Sequence, residues 1–143
     1  MINILDREGA VKIVADTRTA EGTNAVYGGP YPAAVLYTQQ SFVDKNPNTA
    51  QALVTALVRG LKWVQTHTPE EIAAKTPNAF RGDDDALYAE ALKASMPMFS
   101  PDGRMSAEGA EVVRTLLAGS LEKVRSANID LSKTFTNEFI HGR

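Results

Sequence analysis

Carboxylates are the side chains with the most obvious chemical potential in this sequence of 143 residues. Asp83, Asp84 and Asp85 are consecutive, and Glu90 follows shortly after them. Carboxylate oxygens are the ligands that Ca²⁺ and Mg²⁺ prefer, but the alternating acids and the glycine of a calcium loop are absent. Because the helix dipole favours acids at a helix start, we interpret the three aspartates as the beginning of a helix.

The other side chains with catalytic potential are isolated. His67 and His141 are the two histidines, and their spacing matches no metal-binding motif on one helix. Ser120 follows Gly119 but lacks the second glycine of a nucleophile elbow. The chain has no cysteine, which excludes disulfides, thiolate zinc sites, iron–sulfur clusters and cysteine nucleophiles. We therefore expect no enzyme activity, no metal site and no cofactor.

Charge and length limit the remaining function classes. Lys plus Arg is 15 and Asp plus Glu is 17, so no excess of basic charge indicates a nucleic-acid partner. No apolar run approaches the roughly 18 residues that a membrane helix needs. The first eight residues lack the features of a signal peptide, so we expect either a cytoplasmic protein or a targeting segment outside this sequence.

Two apolar segments predict short strands. Residues 12–17 are rich in branched side chains, and residues 33–38 form a continuous apolar run. Residues 18–27, which are small and polar, predict a loop. Residues 28–32 read Gly-Gly-Pro-Tyr-Pro, which excludes a helix and indicates a sharply bent crossing. The two glycines do not match a phosphate-binding glycine motif.

The rest of the chain predicts helices. Gly9 is placed to end a short first helix, and Asn46 with Pro47 begins a long helix that extends to about Thr66. Gly60 inside this helix indicates a close helix approach, and Trp63 is expected in the core or an interface. Further helix starts are predicted at Thr68, at Asp83 to Asp85 and at Ser106, and the apolar tail 129–140 is expected to dock.

Several segments resemble the substrate-binding proteins of ABC importers for nitrate, sulfonate and taurine. The segments are residues 14–18, 28–37 and 42–53, and the likeness continues in residues 61–66 and 130–139. The resemblance extends over essentially the whole chain. It implies an α/β fold, namely a helix-rich fragment of a type II periplasmic-binding-protein-like fold with a few short strands.

This resemblance implies that the chain is the C-terminal portion of a two-lobed protein that clamps its ligand by hinge closure. Residues 1–27 would be a remnant of the second lobe, residues 28–38 the return crossing and core strand, and residues 39–143 the helical end of the first lobe. The implied ligand is a small anion or organic acid such as nitrate, a sulfonate or taurine. The intact protein would be periplasmic or membrane-anchored and extracellular, and would deliver the ligand to an ABC permease.

The resemblance also implies a ligand site at the crossing segments, formed by Thr17, Arg18, Gly28, Gly29, Pro30 and Tyr31. The Arg18 guanidinium could pair bidentately with an oxyanion. The Gly29 amide could approach a ligand because no side chain projects from its Cα atom. The alternative is a solvated Arg18 and glycines that only permit the bend.

Two other functions remain open. Thiamin-pyrimidine synthases share the implied fold, but they use a cysteine-rich iron-binding segment that this chain lacks. The second function is that of a stand-alone helical interaction or oligomerisation domain without a small-molecule ligand. For the isolated chain we expect a homodimer, formed through residues 33–38 or near Trp63, because exposed strand edges recruit other chains.

Overall fold

The computed structural model describes residues 2–140, and this part of the chain is helical. It contains nine α-helices and two short 3₁₀ helices, at Met96–Met98 and Leu131–Lys133. The α-helices are α1 (Ile2–Arg7), α2 (Ala20–Tyr27), α3 (Gln40–Lys45), α4 (Pro47–Gln65), α5 (Pro69–Lys75), α6 (Asn78–Arg81), α7 (Asp85–Ser95), α8 (Ala107–Ser120) and α9 (Glu122–Ser126). No described helix is both long and apolar enough to cross a membrane.

The predicted α/β fold is wrong, because residues 2–140 contain no β-strand. Residues 12–17 and 33–38 are irregular, with bends at Val14 and Ala34. A strand forms only when its backbone N–H and C=O groups pair with a neighbouring segment. The described chain brings no such segment to either run, so the apolar character of these residues does not produce a sheet.

Residues 18–27, predicted to be a loop, contain helix α2 instead. The Thr19 side chain caps this helix by accepting a hydrogen bond of 3.0 Å from the Gly22 amide. At the other end Gly28 takes a left-handed conformation, with φ 79°, and its amide donates to the Asn24 carbonyl. The two caps stabilise a helix whose apolar periodicity is weak.

The predicted helix ends elsewhere are confirmed by their caps. Gly9, with φ 67°, ends α1 in a Schellman arrangement in which the Gly9 and Ala10 amides donate to the Asp6 and Leu5 carbonyls. Thr68 and Glu71 form the capping box of α5. The side chains of Asp84 and Ser106 cap α7 and α8.

The close approach expected at Gly60 occurs at another glycine. A Cβ atom added to Gly60 would have nothing within 4 Å. A Cβ atom on Gly103 would lie 3.3 Å from Val58 Cγ2 and 3.4 Å from Leu61 Cδ1, so the turn at Gly103 packs against α4. The expected docking of the tail is confirmed, because the Asn137 side chain exchanges hydrogen bonds with the Met105 backbone.

Packing is sparse. Helix α5 packs mainly on α7, α3 on α4, and α8 on α9. The buried apolar residues are few and mostly small, namely Ala50, Ile72, Ala73 and Ala89. The accessible surface is 10636 Å², whereas a compact monomer of this mass exposes about 7,200 Å². About 3,400 Å² that a compact protein would bury is therefore exposed.

Candidate functional site

The six residues predicted to contact a ligand lie at the two ends of α2. Thr17 and Arg18 precede the N-cap, whereas residues 28–31 follow the last turn. Eight residues of helix rise by about 12 Å, so the two groups are well separated. The structure therefore does not gather all six around one point, and their role in ligand binding stays a prediction.

Arg18 is held by a neighbouring carboxylate. Its Nε and Nη2 atoms donate to Asp16 Oδ1 and Oδ2 at 2.8 and 2.6 Å, and its backbone amide donates to Oδ1 at 3.0 Å. These hydrogen bonds lower the pKa of the Asp16 carboxyl to about 2 and raise the pKa of Arg18. The guanidinium is thus fixed in orientation, about one third exposed, and always charged.

The segment that carries this ion pair is anchored to α2 by a buried hydroxyl. Thr23 is 3% exposed, and its Oγ1 atom donates to the Thr17 carbonyl at 3.0 Å. Gly22 makes the approach possible, because a Cβ atom there would lie 1.7 Å from the Asp16 carbonyl oxygen. Sequence inspection missed both residues, although a glycine in the first turn of a capped helix is a signal of close backbone contact.

The crossing segment packs on α8. A Cβ atom on the buried Gly29 would lie 2.7 Å from Val112 Cγ2, so the missing side chain admits α8 at this point. The rings of Tyr27 and Tyr31 stack with centroids 4.3 Å apart. Gly109 of α8 also packs closely, because a Cβ atom there would lie 3.1 Å from Pro32 Cδ. Close packing therefore accounts for Gly29, and a contact between its amide and a ligand stays a prediction.

A separate open cleft of about 700 Å³ lies between α5 and α7. Alanines form part of its wall, and its charged groups carry both signs. Arg81 pairs with Asp85 at 2.5 Å and contacts the Asn78 side chain, while its buried Nε atom has no hydrogen-bond partner in the described structure. The lining residues are Glu70, Ala73, Ala74, Arg81, Asp85, Ala86, Ala89, Glu90 and Lys93.

The residues first considered for catalysis or metal binding have structural roles or lie apart. Asp84 caps α7, as the helix-start interpretation predicts. Nowhere in residues 2–140 do three or more acids and histidines converge to hold a metal ion. The rings of His67 and Trp63 stack with centroids 4.2 Å apart, and His67 Nδ1 lies 2.7 Å from the Trp63 carbonyl oxygen. Ser120 is the exposed last residue of α8, and His141 lies outside the described residues.

Comparison with known proteins yields two relatives and no family. No family model matches the chain. "Putative binding protein YtlA" of Bacillus subtilis (strain 168) is 23% identical over 99 residues, which are 66% of this chain and 30% of that protein. A solved protein structure from Bordetella bronchiseptica RB50 is 40% identical, with a TM-score of 0.90 over 97% of this chain and 44% of the solved chain. The chain spans less than half the length of either relative.

These findings correct the resemblance drawn from the sequence. Membership of the nitrate, sulfonate and taurine substrate-binding family is contradicted, because no family model matches and the described residues contain none of the strands of that fold. The similarity to a protein named as a binding protein supports a binding role only in general terms. The solved structure from Bordetella bronchiseptica shows that the helical arrangement described here occurs within a longer chain.

Proposed function

We propose that this chain is one part of a longer, non-enzymatic binding protein that captures a small anion or organic acid. The observation that carries the proposal is the similarity to the Bacillus subtilis protein named as a binding protein. On this proposal the remainder of the protein covers the exposed surface of the chain and completes the ligand site. The two relatives, both more than twice as long as the matched region, support that division.

Arg18 is the basic residue among the six predicted ligand contacts, so it would supply the attraction to an anionic ligand, in competition with the Asp16 carboxylate that already pairs with it. Asp16 holds the planar guanidinium in one orientation beside the N-terminus of α2, where the helix dipole also favours negative charge. A guanidinium in fixed orientation loses little side-chain entropy when it binds an oxyanion. Nitrate, sulfonates, taurine and carboxylates present such oxygen atoms, so they are the ligand class that we propose.

The proposal extends to the partner and location of the whole protein. We take the partner of the whole protein to be the permease of an ABC importer, which would receive the captured solute. The capture step then takes place outside the cytoplasmic membrane, in the periplasm or at the cell surface.

The test is calorimetric titration of the complete product of the natural gene with nitrate, taurine, a short alkyl sulfonate and a small dicarboxylate. We expect binding of at least one of them and at least a tenfold weaker affinity in Arg18→Ala. Arg125→Ala is the matched control, because Arg125 is also ion-paired, with Glu122 at 3.1 Å, and is remote in sequence from the predicted ligand residues. Absence of binding to every probe overturns the proposal, and equal loss in both variants overturns the role of Arg18.

A second function is favoured by the surface itself. The excess of about 3,400 Å² over a compact monomer, which the remainder of the protein covers on the first proposal, would also be covered by a separate protein partner. A helical interaction domain without a ligand would bind none of the four probes but would still associate through this surface. Titration and sedimentation measured on the same sample therefore distinguish the two functions.

A further inference from the structure

Helix α4 is apolar around most of its circumference. Its two charged residues, Arg59 and Lys62, lie close together on one side, because three residues span slightly less than one turn. The polar residues Gln51 and Thr55 fall on the same side, so roughly two thirds of the circumference is free of charge. A helix that packs one face on a core needs an apolar stripe only about 100° wide. The sequence of α4 is therefore suited to packing on two sides.

One of these two sides is covered in the described structure. Ala50 is 7% exposed, and Val54, Val58 and Leu61 are half-buried. The turn at Gly103 packs on this side of the helix, where it approaches Val58 and Leu61. These four residues of α4 follow each other at spacings of three and four, so they form one continuous covered face.

The other side is exposed. Leu53 and Leu57, one turn apart, are 45% and 53% exposed. The outer face of α4 consists of these leucines and the small exposed residues beside them, namely Thr49, Ala52, Leu53, Ala56, Leu57 and Gly60. Rows of large and small side chains give a helix the ridges and grooves into which another element packs. Because this face carries no charge, it has the composition of the centre of a permanent interface rather than of a polar rim.

We propose that the outer face of α4 is covered by an apolar, uncharged surface of the same polypeptide, from the part of the protein that lies outside these 143 residues. This inference rests on the proposed function, in which the chain is one part of a longer protein. Its support is the solved structure from Bordetella bronchiseptica RB50, which matches 97% of this chain with a TM-score of 0.90 over only 44% of its own length. More than half of such a chain is left to supply the covering surface.

The chemistry of the outer face favours a polypeptide over a small anion. An anion needs positive charge or free N–H donors, whereas the N–H groups within a helix are used by the helix itself. Exposed leucines gain free energy only when apolar atoms cover them. The outer face of α4 is therefore an interface with other protein side chains, separate from the predicted ligand residues at the ends of α2.

The test is thiol labelling of single-cysteine variants of the complete product of the natural gene. The 143 residues contain no cysteine, so each substitution introduces one new thiol into this part of the protein. Leu53→Cys and Leu57→Cys report on the outer face. Thr55→Cys is the matched control, because Thr55 is exposed on the charged side of the same helix. Reaction with N-ethylmaleimide is followed peptide by peptide by mass spectrometry, and each rate is divided by the rate of the same variant in urea.

We expect the thiols at the two leucine sites to react at least tenfold more slowly than the Thr55→Cys thiol in the folded protein. Equal rates overturn the proposal, because all three sites are exposed if nothing beyond the described residues covers α4. Protection that rises with protein concentration between about 1 and 50 μM also overturns it, since the cover is then a second copy. Ala56→Cys, the smallest change on this face, replaces either leucine variant if circular dichroism shows that variant to be unfolded.

The labelling result and the ligand titration can fail separately. A protein that protects the outer face but binds none of the four probes contradicts only the proposed ligand. A protein that binds a probe while Leu57→Cys reacts as fast as Thr55→Cys contradicts only the proposed interface.

Discussion

Two helical glycines should respond in opposite directions to replacement by alanine. Gly60 lies exposed in the middle of α4, where an added Cβ atom meets nothing within 4 Å. Alanine removes backbone entropy from the unfolded chain and favours the helix, so Gly60→Ala should stabilise the protein by about 1 kcal/mol. Gly22 lies in the first turn of α2, where the added Cβ atom would lie 1.7 Å from the Asp16 carbonyl oxygen.

The structural cost at Gly22 exceeds the gain in helix propensity. To reach a separation of 3.0 Å, the Asp16 carbonyl must retreat by about 1.3 Å. That displacement breaks the bond from the buried Thr23 hydroxyl to the Thr17 carbonyl, now 3.0 Å, and an unsatisfied buried hydroxyl costs about 1–3 kcal/mol. After subtraction of a propensity gain of about 1 kcal/mol, Gly22→Ala should destabilise the protein by up to about 2 kcal/mol.

The assay is urea denaturation followed by far-UV circular dichroism, with the change in unfolding free energy taken from the midpoint and slope. Both variants should be compared with the native chain at one protein concentration, so that self-association affects all three samples equally. A Gly22→Ala variant as stable as the native chain would refute the close contact at Gly22, and a destabilised Gly60→Ala variant would refute the open space at Gly60.

Three further predictions concern charge, capping and the core. The Asp16 carboxyl should titrate near pH 2 by nuclear magnetic resonance, and Arg18→Ala should raise its pKa toward the ordinary value of 3.8. Because the folded pKa is lowered, the ion pair stabilises the fold above about pH 4 and loses this effect as the pH falls toward 2. Thr68→Ala should lower the unfolding free energy by about 1 kcal/mol in urea titrations, since it removes the capping box of α5, and an unchanged midpoint would contradict that role. Ile72→Ala should cost about 2–4 kcal/mol because Ile72 is 7% exposed, whereas Leu57→Ala, at a site 53% exposed, should cost far less.

Helix boundaries were predictable where the sequence carries a local signal. The capping box at Thr68, the N-cap at Ser106 and the proline at the start of α4 are all confirmed. Each signal acts within one turn of helix, so the neighbouring residues contain all the information that is needed. The helix α2 was missed because its short sequence lacks a clear apolar period, although the Thr19 cap is visible in the sequence.

The two strands were mispredicted for a different reason. An apolar run such as residues 33–38 has the composition of a buried strand, but strand formation depends on a partner segment that composition does not reveal. The ion pair of Asp16 with Arg18 was missed as well, although a carboxylate and a guanidinium two residues apart are a local signal. The packing of Gly29 on Val112 joins residues distant in sequence, so inspection of short motifs does not find it.

The principal helix contacts join elements that are near neighbours along the chain, namely α3 with α4, α5 with α7, and α8 with α9. Chains in which contacts are mostly local fold quickly, commonly within microseconds to milliseconds, because little loop entropy is lost before a contact forms. The helical part from α3 to α9 should therefore assemble early, even while the chain is being synthesised. The segment 33–38 makes no backbone hydrogen bond to another described segment. It would acquire fixed structure only later, when the polypeptide that covers it has folded or bound.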